Sequence, residues 1–204
     1  APSFKSMLDE KLTKLEGFFI MPTIILDPPK IILLDIIVWL VIQLSLGFLS
    51  SKIPLDWLNP NRWFFETFAW EKGGEIYQKL FRVRSWKKYI PNGSRVYQGA
   101  FSIKNLRSSD PAYLDRWLKE SVRAEVCHWV MIIPGFLFFL WNSEALAWVN
   151  VVYAFLNNLV PIIMQRFNRP RMRNMLARLE NDIKTKGSIY VPYTTQKELS
   201  HAYR

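Results

Sequence analysis

Cysteine is almost missing from this chain. Cys127 is the single one, which excludes an internal disulfide and most cysteine-built metal sites and leaves the redox compartment unreadable. Histidine is nearly as scarce, with only His128 and His201. No Gly-rich phosphate loop, paired-Cys motif or RNA-binding signature occurs, so neither a resident metal nor a bound cofactor is expected. No short apolar run is followed by a small-residue cleavage site, and no signal peptide is expected.

Aromatic and basic residues are abundant instead. The 204 residues include 14 Phe, 9 Trp and 8 Tyr, a load that suits aromatic belts at membrane–water interfaces. The net charge of +10 fits either nucleic acid or anionic lipid. The apolar spans decide for lipid: membrane lipids are the expected partner and nucleic acid is not.

Ile31 to Leu49 is long enough to cross a bilayer and carries Asp35 and Gln43 eight residues apart, on roughly one helical face. Ionisable groups inside lipid need a partner or cavity; near the start of a span, Asp35 fits the headgroup level equally well. Val126 to Trp141 is apolar but short, with Pro134-Gly135 set to kink it, and Asn142-Ser143-Glu144 turns the chain into Ala145 to Met164. Asn158 in that last span is expected to bond across helices. Two apolar helices joined so briefly are antiparallel neighbours. Residues 1–20 have amphipathic helical spacing, and Ser50 to Ala69 is aromatic yet interrupted, as interfacial segments are. Tyr77 to Tyr89 alternates like a strand, and Pro91-Asn92-Gly93 supplies a turn, which predicts a β-hairpin. Asp110-Pro111 opens a helix that runs into Glu120 to Trp129.

The expected fold is therefore mainly α. It is an integral membrane protein with about three transmembrane helices, one single span plus a helical hairpin, with interfacial amphipathic helices and a small cytoplasmic cap holding the β-hairpin. An amphipathic extension covers 1–30, the membrane domain 31–179 and a basic tail 180–204. Basic residues outnumber acidic ones in 50–127 and 166–204 but not in 1–30. By the positive-inside rule the middle region and C-terminus of this multi-pass chain face the cytoplasm from the inner, cell membrane.

Two stretches carry chemistry. On a helix, Ser121, Glu125 and His128 share one face, at the mouth of the apolar hairpin. The hairpin returns at Gln165-Arg166-Phe167-Asn168-Arg169-Pro170-Arg171, where Pro170 is expected to break the helix and free carbonyls beside the cations.

An ordered set of residues points further. Ile53-Pro54 with Trp57 is followed by Glu71-x-x-Gly74-x-x-Tyr77-x-x-x-Phe81-x-Val83-x-x-Trp86-Lys87 and by Pro91-x-Gly93. Phe101-x-x-Lys104, Arg123-Ala124-Glu125-x-x-His128-Trp129, Asn158 and Gln165 to Arg171 continue it. From Ile31 to Leu179 the chain resembles the glycosyl-4,4'-diaponeurosporenoate acyltransferase family, small bacterial membrane enzymes of carotenoid-glycoside maturation. It departs in its N-terminal extension, in Phe167 where Tyr is expected, and in Val122. The resemblance implies transfer of a fatty acyl chain onto a sugar hydroxyl of a glycosylated carotenoid acid, as in the last step of staphyloxanthin formation.

In that reading His128 is the general base, because imidazole titrates nearest neutral pH, and Glu125 orients it. A structural histidine, or an axial ligand to a pigment or haem, is the alternative. Arg123 either holds a phosphate of an acyl-CoA or acyl-carrier co-substrate, or is a snorkelling cation. Gln165, Arg166, Asn168, Arg169 and Arg171 are candidates to bind substrate or an oxyanion. Trp86-Lys87-Lys88 with Arg82 and Arg84 reads as a lipid-touching face or a nucleotide dock. The rival function is a non-catalytic transmembrane subunit of a larger photosynthetic or respiratory complex that binds lipid or pigment.

Overall fold

A computed structural model describes residues 27–90, 101–104 and 106–186. Most of the expected extension and tail, and the Pro91-Asn92-Gly93 turn, lie outside these residues. The helices are α1 (Pro28–Lys52), α2 (Glu75–Phe81), α3 (Val83–Trp86), α4 (Pro111–Ile132) and α5 (Glu144–Lys186), with a 3-10 segment at Ile133–Leu140. Three stretches, Pro28–Lys52, Pro111–Leu140 and Glu144–Thr185, are long and apolar enough to cross a membrane. The protein is a mainly helical membrane protein.

The chain forms two compact units. The first takes residues up to Ser45 together with Val130–Asn158; the second takes Leu46–Trp129 and the residues from Leu159 onward.

In the first unit, α1 is apolar all round, and Ile32, Leu33, Ile36, Ile37, Leu40 and Val41 are exposed. Such a surface belongs in lipid, not water. Its inward face packs Trp39 against Phe138, stacked at 4.7 Å, within a core completed by Trp141 and Ala154. Lipid provides no hydrophobic drive for helix association, so close approach and polar bonds take over. Gly135 permits the approach, since a β-carbon there would sit 3.0 Å from that of Ala154. The expected break at Pro134-Gly135 is the passage from α4 into the 3-10 segment.

In the second unit, α4 is capped by Asp110, whose Oδ1 accepts the Ala112 amide at 2.7 Å. Tyr113, Leu114, Trp117 and Leu118 form one core with Met172, Met175 and Leu176 of α5. Tyr77, Val83, Ile163 and Phe167 form another. Trp57, Trp63 and Trp70 are exposed along the segment between α1 and α2, as an interfacial segment requires.

Two expectations fail here. Tyr77 to Tyr89 is helical, and no strand occurs among the described residues. Arg82 sits in the left-handed region at φ 48°, ψ 45° and separates α2 from α3. That residue resets the helical phase, so two short apolar faces out of register imitate a period of two. Nor does Pro170 end the returning helix, because α5 runs through both Pro161 and Pro170 to Lys186. A proline in the helix deletes one backbone bond, and neighbouring groups can serve the carbonyls of that turn. The carbonyl that Pro170 leaves without its helical donor is that of Arg166, while Arg171 Nη1 donates to the next one, the Phe167 carbonyl.

Candidate functional site

Two helices and one loop bring four charges together inside the second unit. Ser121 and Glu125 lie four residues apart on α4, and Arg166 and Arg169 three apart on α5, so each pair shares a face. The loop before α2 adds Glu71 and the carbonyls of Phe64, Phe65 and Glu66. Glu71, Ser121 and Glu125 are 0% exposed, Arg169 2% and Arg166 7%.

Every N–H of the Arg166 guanidinium is used. Nε donates to Glu71 Oε1 at 2.5 Å and Nη2 to Glu71 Oε2 at 2.9 Å. Nη1 donates to Glu125 Oε1 and to the Phe64 carbonyl, both at 2.9 Å, and Nη2 also reaches the Glu66 carbonyl at 3.1 Å. Five donors meeting five acceptors is the full capacity of a guanidinium. Arg169 is held nearly as completely. Nε donates to Ser121 Oγ and Nη2 to the Ser121 carbonyl, both at 3.0 Å, while Nη1 donates to the Phe65 carbonyl at 3.1 Å and pairs with Glu125 Oε2 at 2.6 Å. The rings of Phe68 and Phe65 lie beneath the two guanidinium groups, 5.0 and 5.7 Å from the centroids.

Two positive and two negative charges make the cluster neutral, the condition under which charges tolerate burial. Glu71 also accepts the Phe68 amide at 2.7 Å and the Tyr77 hydroxyl. Burial alone would raise the Glu71 carboxyl, but the bonds from Arg166, Tyr77 and Phe68 outweigh it and hold the group below its ordinary value. Burial and the Glu71 carboxylate push the Tyr77 phenol well above its usual range. Tyr77 is therefore neutral and donates.

The expected site residues fall into separate groups. Glu125 spends both oxygens on guanidinium groups, with Trp129 Nε1 a further 3.4 Å neighbour, so its first task is to hold the arginines. His128, three residues on along α4, is half-buried. Arg166 has no donor left for a substrate. Arg123 closes the end of α1, donating to the carbonyls of Ser50 at 3.0 Å and Ser51 at 2.7 Å, with Nε 3.0 Å from Glu120 Oε2. A cation at a helix C-terminus is favourably placed. Gln165 is buried at 6% exposure, and its Oε1 accepts no hydrogen bond among the described residues. Asn168 Oδ1 accepts from Lys87 at 3.4 Å, and Arg171 lies over the Phe167 ring. Asn158 donates to the Ala154 carbonyl one turn earlier in its own helix.

Asp35 belongs to the first unit, where it is buried among hydrogen-bond donors. It accepts from Trp141 Nε1 at 2.7 Å, Asn142 Nδ2 at 2.9 Å and Asn150 Nδ2 at 2.8 Å, and Asn150 Oδ1 in turn accepts from Trp39 at 2.8 Å. Gln43, on the same face of α1, reaches Tyr153 at 3.4 Å.

Glu71 and Tyr77 were assigned no role from sequence. Their one signal was membership of the ordered motif, where a Glu six residues before a Tyr stands at the edge of an aromatic segment. No group of three or more His, Cys, Asp and Glu side chains that could hold a metal ion occurs among the described residues.

The buried cluster and His128 lie within residues 60–178, the part of the chain that matches the family model described as glycosyl-4,4'-diaponeurosporenoate acyltransferase. Proteins of that name from Staphylococcus aureus strains N315 and USA300 are each 32% identical over 142 residues, 70% of this chain and 86% of theirs. The counterpart from the bovine strain RF122 is 31% identical over the same length. No solved structure matches the chain. On these matches, the chain belongs to the glycosyl-4,4'-diaponeurosporenoate acyltransferase family of enzymes.

Proposed function

We propose that the chain is a membrane-bound O-acyltransferase that moves a fatty acyl group from acyl-CoA or an acyl carrier onto a sugar hydroxyl of a glycosylated carotenoid or similar lipid. The observation that carries this reading is the family match over residues 60–178, which contains the half-buried His128 and the cluster beside it in sequence.

In the reaction the His128 imidazole takes the proton of the acceptor hydroxyl as its oxygen attacks the thioester carbonyl. The tetrahedral intermediate collapses, the C–S bond breaks, and imidazolium returns the proton to the departing thiolate. Ester and free thiol are the products. Glu125, one turn earlier on α4, favours the imidazolium through its charge. Arg169 keeps one N–H of Nη2 beyond its bonds to Ser121, Phe65 and Glu125, beside a recess of about 10 Å³, room for one oxygen-sized group, lined by Phe65, Thr67, Pro170 and Arg173. That N–H is the donor available to a developing oxyanion. Gln165 Oε1, buried and unpaired among the described residues, is an acceptor suited to a sugar hydroxyl. The charge excess of the middle region and C-terminus supports a cytoplasmic position for this chemistry, where acyl thioesters occur.

The test uses the full chain in lipid nanodiscs with acyl-CoA and a glycosylated carotenoid acid. Mass spectrometry should find the acyl ester of the glycoside and an equal amount of released thiol. Folded protein that gives neither, and that purifies with coloured partners, would favour the transmembrane-subunit reading instead.

A further inference from the structure

Three cations outside the buried cluster share a surface of the second unit. Lys87 and Arg171 both lie over the ring of Phe167, with Nζ 5.4 Å and Cζ 3.7 Å from its centroid, and that ring is 1% exposed. Arg84, one turn before Lys87, is exposed and acts electrostatically on both. Among the described residues no ion pair joins any of the three to a carboxylate; Glu75 bears on Arg171 without pairing with it. Burial, with the charges of Arg171 and Arg84, lowers the Lys87 ammonium below its ordinary range, as expected of a patch short of counter-charge.

Three arginines elsewhere in the second unit are used differently. Arg123, Arg166 and Arg169 are each bonded to carbonyls and paired with glutamates. Arg171 makes one bond, to the carbonyl of Phe167, and leaves the remainder of its fork unassigned. From Arg171 a groove of about 420 Å³ runs along α5 past Asn174 and Arg178, with Met175 and Leu179 also lining it. Cations gathered without a paired acid, next to a groove with apolar and amide walls, match a ligand that is phosphorylated at one end.

We propose that Arg84, Lys87 and Arg171 bind a phosphate group and that the Asn174–Arg178 groove receives the body of the molecule that bears it. Two sources carry this chemistry: the nucleotide end of a CoA-type thioester, or the headgroup of an anionic phospholipid. The site rests on the acyl-transfer reading only for the first of these sources.

The experiment places the full chain in nanodiscs of zwitterionic lipid and titrates free coenzyme A, which binds without turnover, by calorimetry at low and high salt. If the donor is the source, binding is saturable, weakens with salt, and falls roughly tenfold or more in the Arg84→Gln/Lys87→Gln double variant. A parallel arm adds phosphatidylglycerol and counts retained lipid by native mass spectrometry. If the headgroup is the source, coenzyme A does not bind, while retained phosphatidylglycerol drops in the same variant. Arg171→Lys is the second variant, because it keeps the charge over buried Phe167 while losing the fork; weaker binding with an unchanged melting temperature supports the site. Failure of both ligands to bind the wild-type chain, or equal binding by all variants, would overturn the proposal. Coenzyme A binding without acyl transfer would refute the activity and leave this site standing.

Discussion

Arg166 grips Glu71 with two parallel bonds, at 2.5 and 2.9 Å, although the two residues are 95 positions apart. The pair is bidentate, buried and embedded in five acceptors that only a planar fork can serve together. Arg166→Lys is therefore expected to be nearly as damaging as Arg166→Ala, since an ammonium cannot reach Glu71, Glu125 and two carbonyls together. Breaking a buried pair on one side costs about 3–5 kcal/mol. Thermal unfolding in detergent or nanodiscs checks this, and an Arg166→Lys variant that melts like wild type would argue against it.

Acidification should act through the same pair. The Glu71 carboxyl is held below its ordinary value of 4.5, so its contribution to folding is complete above that pH and is lost as pH falls through the lower folded value. Glu71→Gln keeps the shape and discards the charge. Its stability deficit should be constant at neutral pH and narrow below about pH 4.5. Tyr77→Phe removes a donor to that carboxylate and should cost about 1.5–3 kcal/mol.

Neighbouring glycines should respond unequally to alanine. Both Gly73 and Gly74 have positive φ, at 63° and 86°, which disfavours any side chain. A β-carbon on Gly73 meets nothing within 4 Å, whereas on Gly74 it would press 3.1 Å from the Phe167 carbonyl and 3.2 Å from that of Arg166. Gly73→Ala should cost about 1 kcal/mol, the backbone penalty alone. Gly74→Ala should cost clearly more and should disturb Arg166. Equal melting temperatures would mean that the α5 backbone gives way freely.

Much of this arrangement was legible in local pattern. The apolar runs at Ile31 to Leu49 and Ala145 to Met164 mark spans because length and hydropathy are properties of one segment. Ser121 and Glu125 stood out because helical spacing puts them on one face, and Arg166 and Arg169 because they gather with amides in one short basic stretch. Glu71 did not, because its burial is decided by an arginine almost a hundred residues away and leaves no trace in the residues around it. The Tyr77 to Tyr89 hairpin failed for a different reason: a single left-handed Arg82 changes the period that the pattern displays. Pro170 misled because α5 absorbs the loss of one backbone bond and continues past it. The candidate side chains were thus visible one by one, while their bonding, which commits Arg166 and Arg123 to protein partners, depends on the tertiary fold.

Asp35 gives a prediction within the membrane unit. Asp35→Ala would strand the donors of Trp141, Asn142 and Asn150, each costing about 1–3 kcal/mol when buried and unmatched. A loss of at least about 2 kcal/mol is expected. Trp fluorescence should change with it, because Trp141 loses its bond to Asp35. An Asp35→Ala variant with wild-type melting and emission would mean that water replaces the carboxylate at no cost.

Acyl transfer itself is tested most directly at His128. Rates for the wild-type chain and for His128→Gln are measured in nanodiscs against acyl-CoA and the glycosylated acceptor, with the melting temperature of each recorded. Loss of a general base should lower the rate about 10²–10⁴-fold while the melting temperature stays near that of wild type. A folded His128→Gln protein that acylates the sugar at the wild-type rate would contradict the assignment of His128 as the base.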